Sequence, residues 1–273
     1  MDPAGDTSRA IGPAVAGMFY PSDPAELRAM VRQMLAEAGA DPAPADEAVP
    51  RALIVPHAGF VYSGPVAAEA YRLLAPAADR IRRVVLLGPS HRVPFRGLAV
   101  PQADALITPL GAVEVDAGLK SRALRLGVAG EADLAHAHEH CLEVQLPFLQ
   151  ALLPEFTVLP VVVGEATDRS VLDLLEALPL EETDTLLLVS SDLSHYHPYA
   201  EARRLDADTV DEILSLSPES LTGERACGYK AIRGLLLWAR GHGMSARLVD
   251  LRNSGDTAGG RDQVVGYASI AFD

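Results

Sequence analysis

The chain has 273 residues, 49% of them hydrophobic, and its 37 acidic against 23 basic side chains give a formal net charge of −14. That charge weighs against nucleic acid and anionic membrane as partners, because a phosphate backbone is held by clustered Lys and Arg; a small-molecule or peptide ligand is expected instead. No apolar run approaches the ~20 residues of a membrane span, Met1 to Arg9 carries neither a basic region nor an apolar signal core, and two cysteines, Cys141 and Cys227, cannot build a disulfide framework, so a cytoplasmic protein with reduced thiols is expected.

Residues 1–10 are polar and small and read as a flexible arm before a single α/β domain over 11–273. The first helix is signalled by Asp23 as N-cap, Pro24 at the first helical position, Glu26 in a capping-box-like position and an apolar stripe of Leu27, Met30, Val31, Met34 and Leu35. A proline-rich loop, Gly39 to Pro50, leads to a strand at Ala52–Val55 that runs into Pro56-His57-Ala58-Gly59-Phe60, where Gly59 would let the backbone turn tightly beneath a ligand. A helical pattern at Pro65–Leu74 precedes a strand at Val84–Leu87, which ends in Gly88-Pro89-Ser90-His91.

Further along, His136-Ala137-His138-Glu139-His140 formally matches the short inverted zinc-peptidase pattern, a weak signal in so short a motif. Apolar positions from Leu142 onward place His140 at the start of a buried helix, with Glu143 on its face and Glu139 or Glu143 as its orienter or as a loop anchor. Strand Val158–Val163, helix Arg169–Leu178, strand Thr185–Val189, helix Pro198–Ser215, helix Tyr229–Arg240 and strands Arg247–Leu251 and Val264–Ala271 complete the alternation. Such alternation predicts a three-layer α/β/α sandwich with a mostly parallel central sheet and later strands antiparallel at its edge.

Chemistry is expected where the strands end, because ligands of an open parallel sheet bind beyond the carboxyl edge of its strands. His57 and His91 each follow a strand and read as metal ligands, the alternative for either being a structural histidine in a turn. Ser190-Ser191-Asp192-Leu193-Ser194-His195-Tyr196 offers a carboxylate three residues before a histidine, so Asp192 is expected to hold one ring nitrogen of His195 and make it a general base, unless Asp192 or Ser194 merely caps the next helix. Cys227 precedes Gly228 and a helix, where free amides would favour a thiolate, ligand or nucleophile. Glycine-rich phosphate loops, a G-x-S-x-G elbow and C-x-x-C pairs are absent from the sequence.

Six segments in order, Ala16-Gly17-Met18-Phe19-Tyr20-Pro21, Val55 to Gly64, Leu87 to His91, Glu139 to Phe148, Ser190 to Tyr196 and Cys227-Gly228, together resemble the Memo family, whose bacterial members are called AmmeMemoRadiSam system protein B. The resemblance runs from about Ala10 to the C-terminus. It implies a fold similar to the class III extradiol dioxygenases (LigB-like), with His57, His91 and Cys227 as ligands for Fe(II), or for Cu or Zn, and with Asp192 and His195 in the same pocket; His140, at the start of its helix, is expected to line that crevice as a further catalytic residue. It also implies association with a radical SAM protein and an AMMECR1-like protein. Cys141 stands where a serine is more usual in the family.

Three functions follow as expectations. The first is a dioxygenase-like, non-haem iron oxidoreductase of unknown substrate, with His195 as base. The second is a zinc hydrolase on the same residues, and the third a metal- or partner-binding component without catalysis. A thiolate in place of the carboxylate of the two-histidine facial triad alters softness and redox potential, so catechol cleavage is not inherited with the fold.

Overall fold

The computed structural model describes residues 9–38 and 49–273. Twelve strands are present among them: β1 (Ala10–Ile11), β2 (Ala52–Val55), β3 (Arg83–Pro89), β4 (Leu98–Val100), β5 (Ala105–Thr108), β6 (Gly111–Glu114), β7 (Ala129–Glu131), β8 (Thr157–Val163), β9 (Thr185–Ser190), β10 (His195–His197), β11 (Ala246–Asn253) and β12 (Val264–Phe272). Nine helices of the α type accompany them: α1 (Pro24–Ala38), α2 (Phe60–Tyr71), α3 (Ala117–Arg125), α4 (Asp133–His136), α5 (His140–Glu143), α6 (Leu146–Leu152), α7 (Asp168–Ala177), α8 (Tyr199–Leu214) and α9 (Tyr229–Gly241). No helix among the described residues is long and apolar enough to cross a membrane.

The main sheet is mixed. Strands β2, β9, β3 and β8 run parallel side by side in that order, while β12 pairs antiparallel with β2 on one flank and β4 antiparallel with β8 on the other. Strand β11 pairs antiparallel with β12, as anticipated for the late strands. Because side chains alternate across a strand, Leu53 and Val55 of β2 enter one core with α1, α2 and α6, whereas Ala52 and Ile54 enter a second core with α3, α7, α8 and α9. Two cores on two faces of one sheet are the mark of an α/β sandwich.

Helix α1 forms for the reasons read from its sequence. The Asp23 carboxylate accepts from the amides of Ala25 and Glu26 at 2.9 Å each, and Leu27 and Val31 are fully buried, a burial that stabilises by ~1.5–3 kcal/mol per side chain. Helix α2 begins five residues before the predicted Pro65. A proline inside a helix removes one donor, and the carbonyl it deprives, on Val61, belongs to a residue 54% exposed, where water can serve it.

Other expectations change. Arg9 and Ala10, assigned to the flexible arm, are paired: Asp104 donates its amide to the Arg9 carbonyl, and β1 runs parallel to β5 in register Ala10 to Ala105. Residues 1–8 and 39–48 of the arm and the proline-rich loop lie outside the described residues. His136 ends the short α4 and is buried. Between residues 98 and 131, β4 to β7 and α3 had no sequence signal strong enough to name, since each strand spans only three or four residues.

Candidate metal centre

Parallel neighbours end side by side, so β2, β9 and β3 deliver His57, Asp192 and His91 to one crevice, each two residues beyond its strand. Cys227 comes from the segment before α9 and is held there through its own amide to Asp192 O at 3.3 Å and through the Gly228 amide to Ser191 Oγ at 2.9 Å. Gly228 must be a glycine at this contact, because a Cβ would lie 2.7 Å from Ser191 Cβ. Gly88 is required in the same way, a Cβ there falling 2.5 Å from Cys141 Sγ. Gly59 has an ordinary negative φ of −56° and serves as the N-cap of α2 against the Phe19 backbone, not as the tight turn expected of it.

One ligand atom from each of His57, His91 and Cys227 falls within 4.8 Å of the other two, and His57 Nε2 lies 3.2 Å from Cys227 Sγ. Ligand bonds of ~2.1 Å to nitrogen and ~2.3 Å to sulfur in a tetrahedral set would put N and S about 3.6 Å apart, so the trio has the span of a metal site.

The hydrogen bonds behind the rings dictate which nitrogen is free. Tyr71 donates its hydroxyl to Gln145 Oε1 at 2.7 Å, and Gln145 Nε2 donates to Ser190 Oγ at 2.7 Å and to Pro56 O at 3.0 Å. Ser190 uses its own proton on Cys141 O at 2.6 Å, which leaves Oγ to accept from His57 Nδ1 at 2.9 Å. The proton therefore sits on Nδ1, and Nε2 presents its lone pair towards Cys227. His91 is fixed by a carboxylate: Nδ1 lies 2.8 Å from Glu139 Oε1, so its Nε2 is free as well. Replacing Ser190 by alanine, which leaves His57 Nδ1–H and one of the two Gln145 Nε2–H groups unpaired in a buried site, is expected to lower metal affinity at least tenfold with little change in global fold. The check is metal competition by a chromophoric chelator beside ¹⁵N spectra of the His57 ring, and unchanged affinity would contradict the tautomer assignment.

Glu139 holds more of this structure than any other carboxylate at the site. Besides the His91 ring it accepts from the amides of His91 at 2.6 Å, His140 at 3.0 Å and Cys141 at 3.1 Å. Burial pushes its carboxyl up, but the His91 ring and the backbone amides outweigh burial and hold it at about 2. His91, Glu139 and Cys141 also lie within ligand distance of one another. Glu139 is committed to four donors, however, and the buried Cys141 thiol donates to Pro89 O at 3.1 Å, so this group is a hydrogen-bonded support and not a second metal site.

Glu143 does not face His140 as helical spacing predicted. Its carboxylate accepts from the amides of Ala14 at 2.5 Å and Val15 at 3.1 Å and from the Tyr20 hydroxyl, clamping the segment that brings Phe19 against the His140 ring at 4.9 Å. The inverted zinc-peptidase pattern dissolves: His136 Nε2 contacts Ala99 O at 3.1 Å, His138 is exposed, and no donor cluster among the described residues joins His136 to His140.

Two further expectations are corrected. Asp192 does not touch the His195 ring: its Oδ1 accepts the His57 amide at 2.7 Å, while His195 Nδ1 is held by the carbonyl of Leu193 at 2.8 Å. A carbonyl can only accept, so His195 carries its proton on Nδ1 and keeps Nε2 as acceptor. Neither Asp192 nor Ser194 caps α8, whose N-cap is Pro198. The Cys227 thiol is not shifted towards thiolate: the Gly228 amide at the helix start eases it, but burial, then the Asp192 carboxylate, outweigh that and push it up to about 12. Burial also lowers the His57 ring well below 6.5, with His91 adding to the effect, and lowers His140 to about 4, with His57 adding. Neutral imidazoles beside a thiol that needs a cation to ionise are the donor chemistry of a metal site.

His57, His91 and Asp192 line a cavity of about 670 Å³, together with His140, His195 and Tyr267. The His140 ring stacks on His91 with centroids 4.7 Å apart, and its buried Nδ1, 3.4 Å from Glu139 Oε1, has no hydrogen-bond partner among the described residues. Around the mouth stand the exposed apolar side chains of Met18, Val61, Tyr62 and Tyr196. Tyr196, next to His195, has φ 62°, a left-handed conformation that a tyrosine rarely adopts. Tyr196, Ser190, Gln145 and Tyr71 had no sequence signal of their own; only the fold brings them to the site.

The crevice defines an α/β protein with a two-histidine, one-cysteine candidate metal centre at its sheet edge. Residues 12–271 match the family described as Memo-like protein. The chain is 38% identical to a MEMO1 family protein of Archaeoglobus fulgidus, 37% to one of Aquifex aeolicus and 36% to one of Methanopyrus kandleri, in each case over 95% of this chain and 98% of the relative. The chain belongs to the Memo family.

Proposed function

We propose that this Memo-family chain is a metal-dependent oxidoreductase that acts on a small organic molecule held in the large cavity, with Fe(II) on His57, His91 and Cys227. The observation that carries the reading is the convergence of one ligand atom from each of His57, His91 and Cys227 within 4.8 Å, with Nδ1 of each histidine hydrogen-bonded from behind. Iron held by two imidazoles and a thiolate would supply one-electron chemistry with dioxygen at positions the protein leaves free. Chemistry at the parallel strand ends of a sandwich supports, within this reading, a LigB-like relationship to the extradiol dioxygenases.

The chain's own groups divide the remaining tasks. His195, with Nδ1–H donated to Leu193 O, offers Nε2 to take a proton from a substrate hydroxyl or thiol. His140, held neutral by burial, lines the same wall, and Asp192 braces the His57 backbone. The aromatic and apolar mouth excludes water from a bound substrate.

Iron-loaded protein prepared without oxygen, then mixed with dioxygen and a panel of phenolic and thiol reductants, is expected to consume O2. His195→Gln should slow that uptake roughly 10²-fold or more while keeping its iron. No uptake with any reductant would contradict the reading. Turnover by zinc-loaded protein that survives oxygen and fails with chelator would move the same residues to a hydrolase.

A further inference from the structure

The three donors do not open on one space. His57 lines the large cavity only, Cys227 lines only a second cavity of about 280 Å³, and His91 and Arg92 line both. The partition is the loop from Pro89 to Pro94, pinned by the Ser90 amide on Val163 O at 3.1 Å and by Ser90 Oγ donating to Val93 O at 2.6 Å. The Cys227 side chain, partly exposed, is therefore reached from behind the partition and not from the mouth ringed by Met18, Val61, Tyr62 and Tyr196.

The smaller cavity's lining carries a net charge opposite in sign to that of the whole chain. Arg92 at its edge makes no ion pair among the described residues. Lys230 in its wall, its side chain 15% exposed, is paired at 2.6 Å with Glu165, whose own side chain is 79% exposed. A carboxylate so open to water is a weak partner, and the lining bears two cations against one anion in a chain of net charge −14. The volume accommodates a small ion with some of its water, each water needing ~30 Å³.

We infer that the cavity behind His91 is a second ligand site, for a small anion that approaches the Cys227 side of the donor trio while the organic molecule occupies the His57 side. Such an arrangement lets a small reagent and a larger substrate meet at the centre without passing one another. The functional meaning rests on the metal reading above; the site and its charge preference do not, and can be tested without metal.

The test uses the metal-free full chain and follows modification of Cys227, read by peptide mass spectrometry, with anionic, neutral and cationic methanethiosulfonates of similar size. The same thiolate attacks the sulfenyl sulfur of each reagent, forming a mixed disulfide and releasing methanesulfinate, so rate ratios between reagents cancel any change in the thiol's ionisation. The anionic reagent is expected to outpace the cationic one roughly tenfold in low salt, and Arg92→Gln and Lys230→Gln should each shrink that ratio. Val93→Trp, which fills the small cavity, should slow all three reagents, whereas Val61→Trp at the large mouth should not. A cationic preference, ratios unmoved by both charge variants, or slowing by Val61→Trp in place of Val93→Trp would overturn the inference. Loss of metal binding with these results intact would remove the metal reading alone.

Discussion

Glu139→Ala is expected to lower both stability and metal retention more than any other single change outside the three donors. The buried carboxylate accepts three amides and one ring N–H, and each buried donor left unpaired costs ~1–3 kcal/mol. The loss should total several kcal/mol even after water enters the space, and each kcal/mol lowers Tm by about 2–4 °C in a chain this size. Metal affinity should fall about 10- to 100-fold, as it does when a histidine ligand loses its orienting carboxylate. The pH dependence has a definite sign. With its carboxyl held at about 2 against an ordinary 4.5, Glu139 stabilises the fold fully above about pH 4.5. That contribution, of order 3 kcal/mol from the two values, is lost as pH falls towards 2. Thermal melts of wild type and variant between pH 3 and pH 7 check this: the two curves should draw together as the pH falls, and a constant gap would contradict the role given to the ionised carboxylate.

Cys227→Ser should abolish tight metal binding, whereas Cys141→Ser should leave it within about threefold. The contrast is physical. A thiolate at Cys227 is a soft, charged donor beside His57 Nε2, and a serine hydroxyl keeps neither property. Cys141 Sγ points away from that trio to donate to Pro89 O, a bond a serine hydroxyl can also make in the same buried space. Metal titration of the two variants in parallel separates them, and equal losses would undo the assignment of Cys227 as ligand.

What could be read from the sequence was the position of strand ends. Apolar runs terminated by His57, His91 and Asp192 are local patterns, and parallel pairing of β2, β9 and β3 carries them to one edge. What could not be read was which group each of these side chains serves. Asp192 stands three residues before His195, yet the loop after β9 turns its carboxylate to the His57 amide and leaves the His195 ring to a carbonyl. Glu143 shares a helical face with His140 on paper, but α5 lasts four residues and Glu143 turns to the Tyr20 segment. The Tyr71, Gln145 and Ser190 relay draws on α2, the segment before α6, and β9. Its members lie up to 119 positions apart in the chain, from Tyr71 to Ser190, so no local periodicity marks them. The thiol of Cys227 shows a competition of terms that sequence cannot weigh: a helix start favours the anion, and burial beside Asp192 disfavours it more strongly.

The most direct test of the account is the metal content of protein purified without oxygen or added metal, wild type beside His57→Ala, by plasma mass spectrometry. Near-stoichiometric iron in the wild type that falls below about a tenth in the variant is the predicted result, since removing one of three donors that fill a site this small leaves too few to hold a metal tightly. No metal in either protein, even after anaerobic reconstitution with Fe(II), would contradict the metal centre and leave the crevice as a binding pocket.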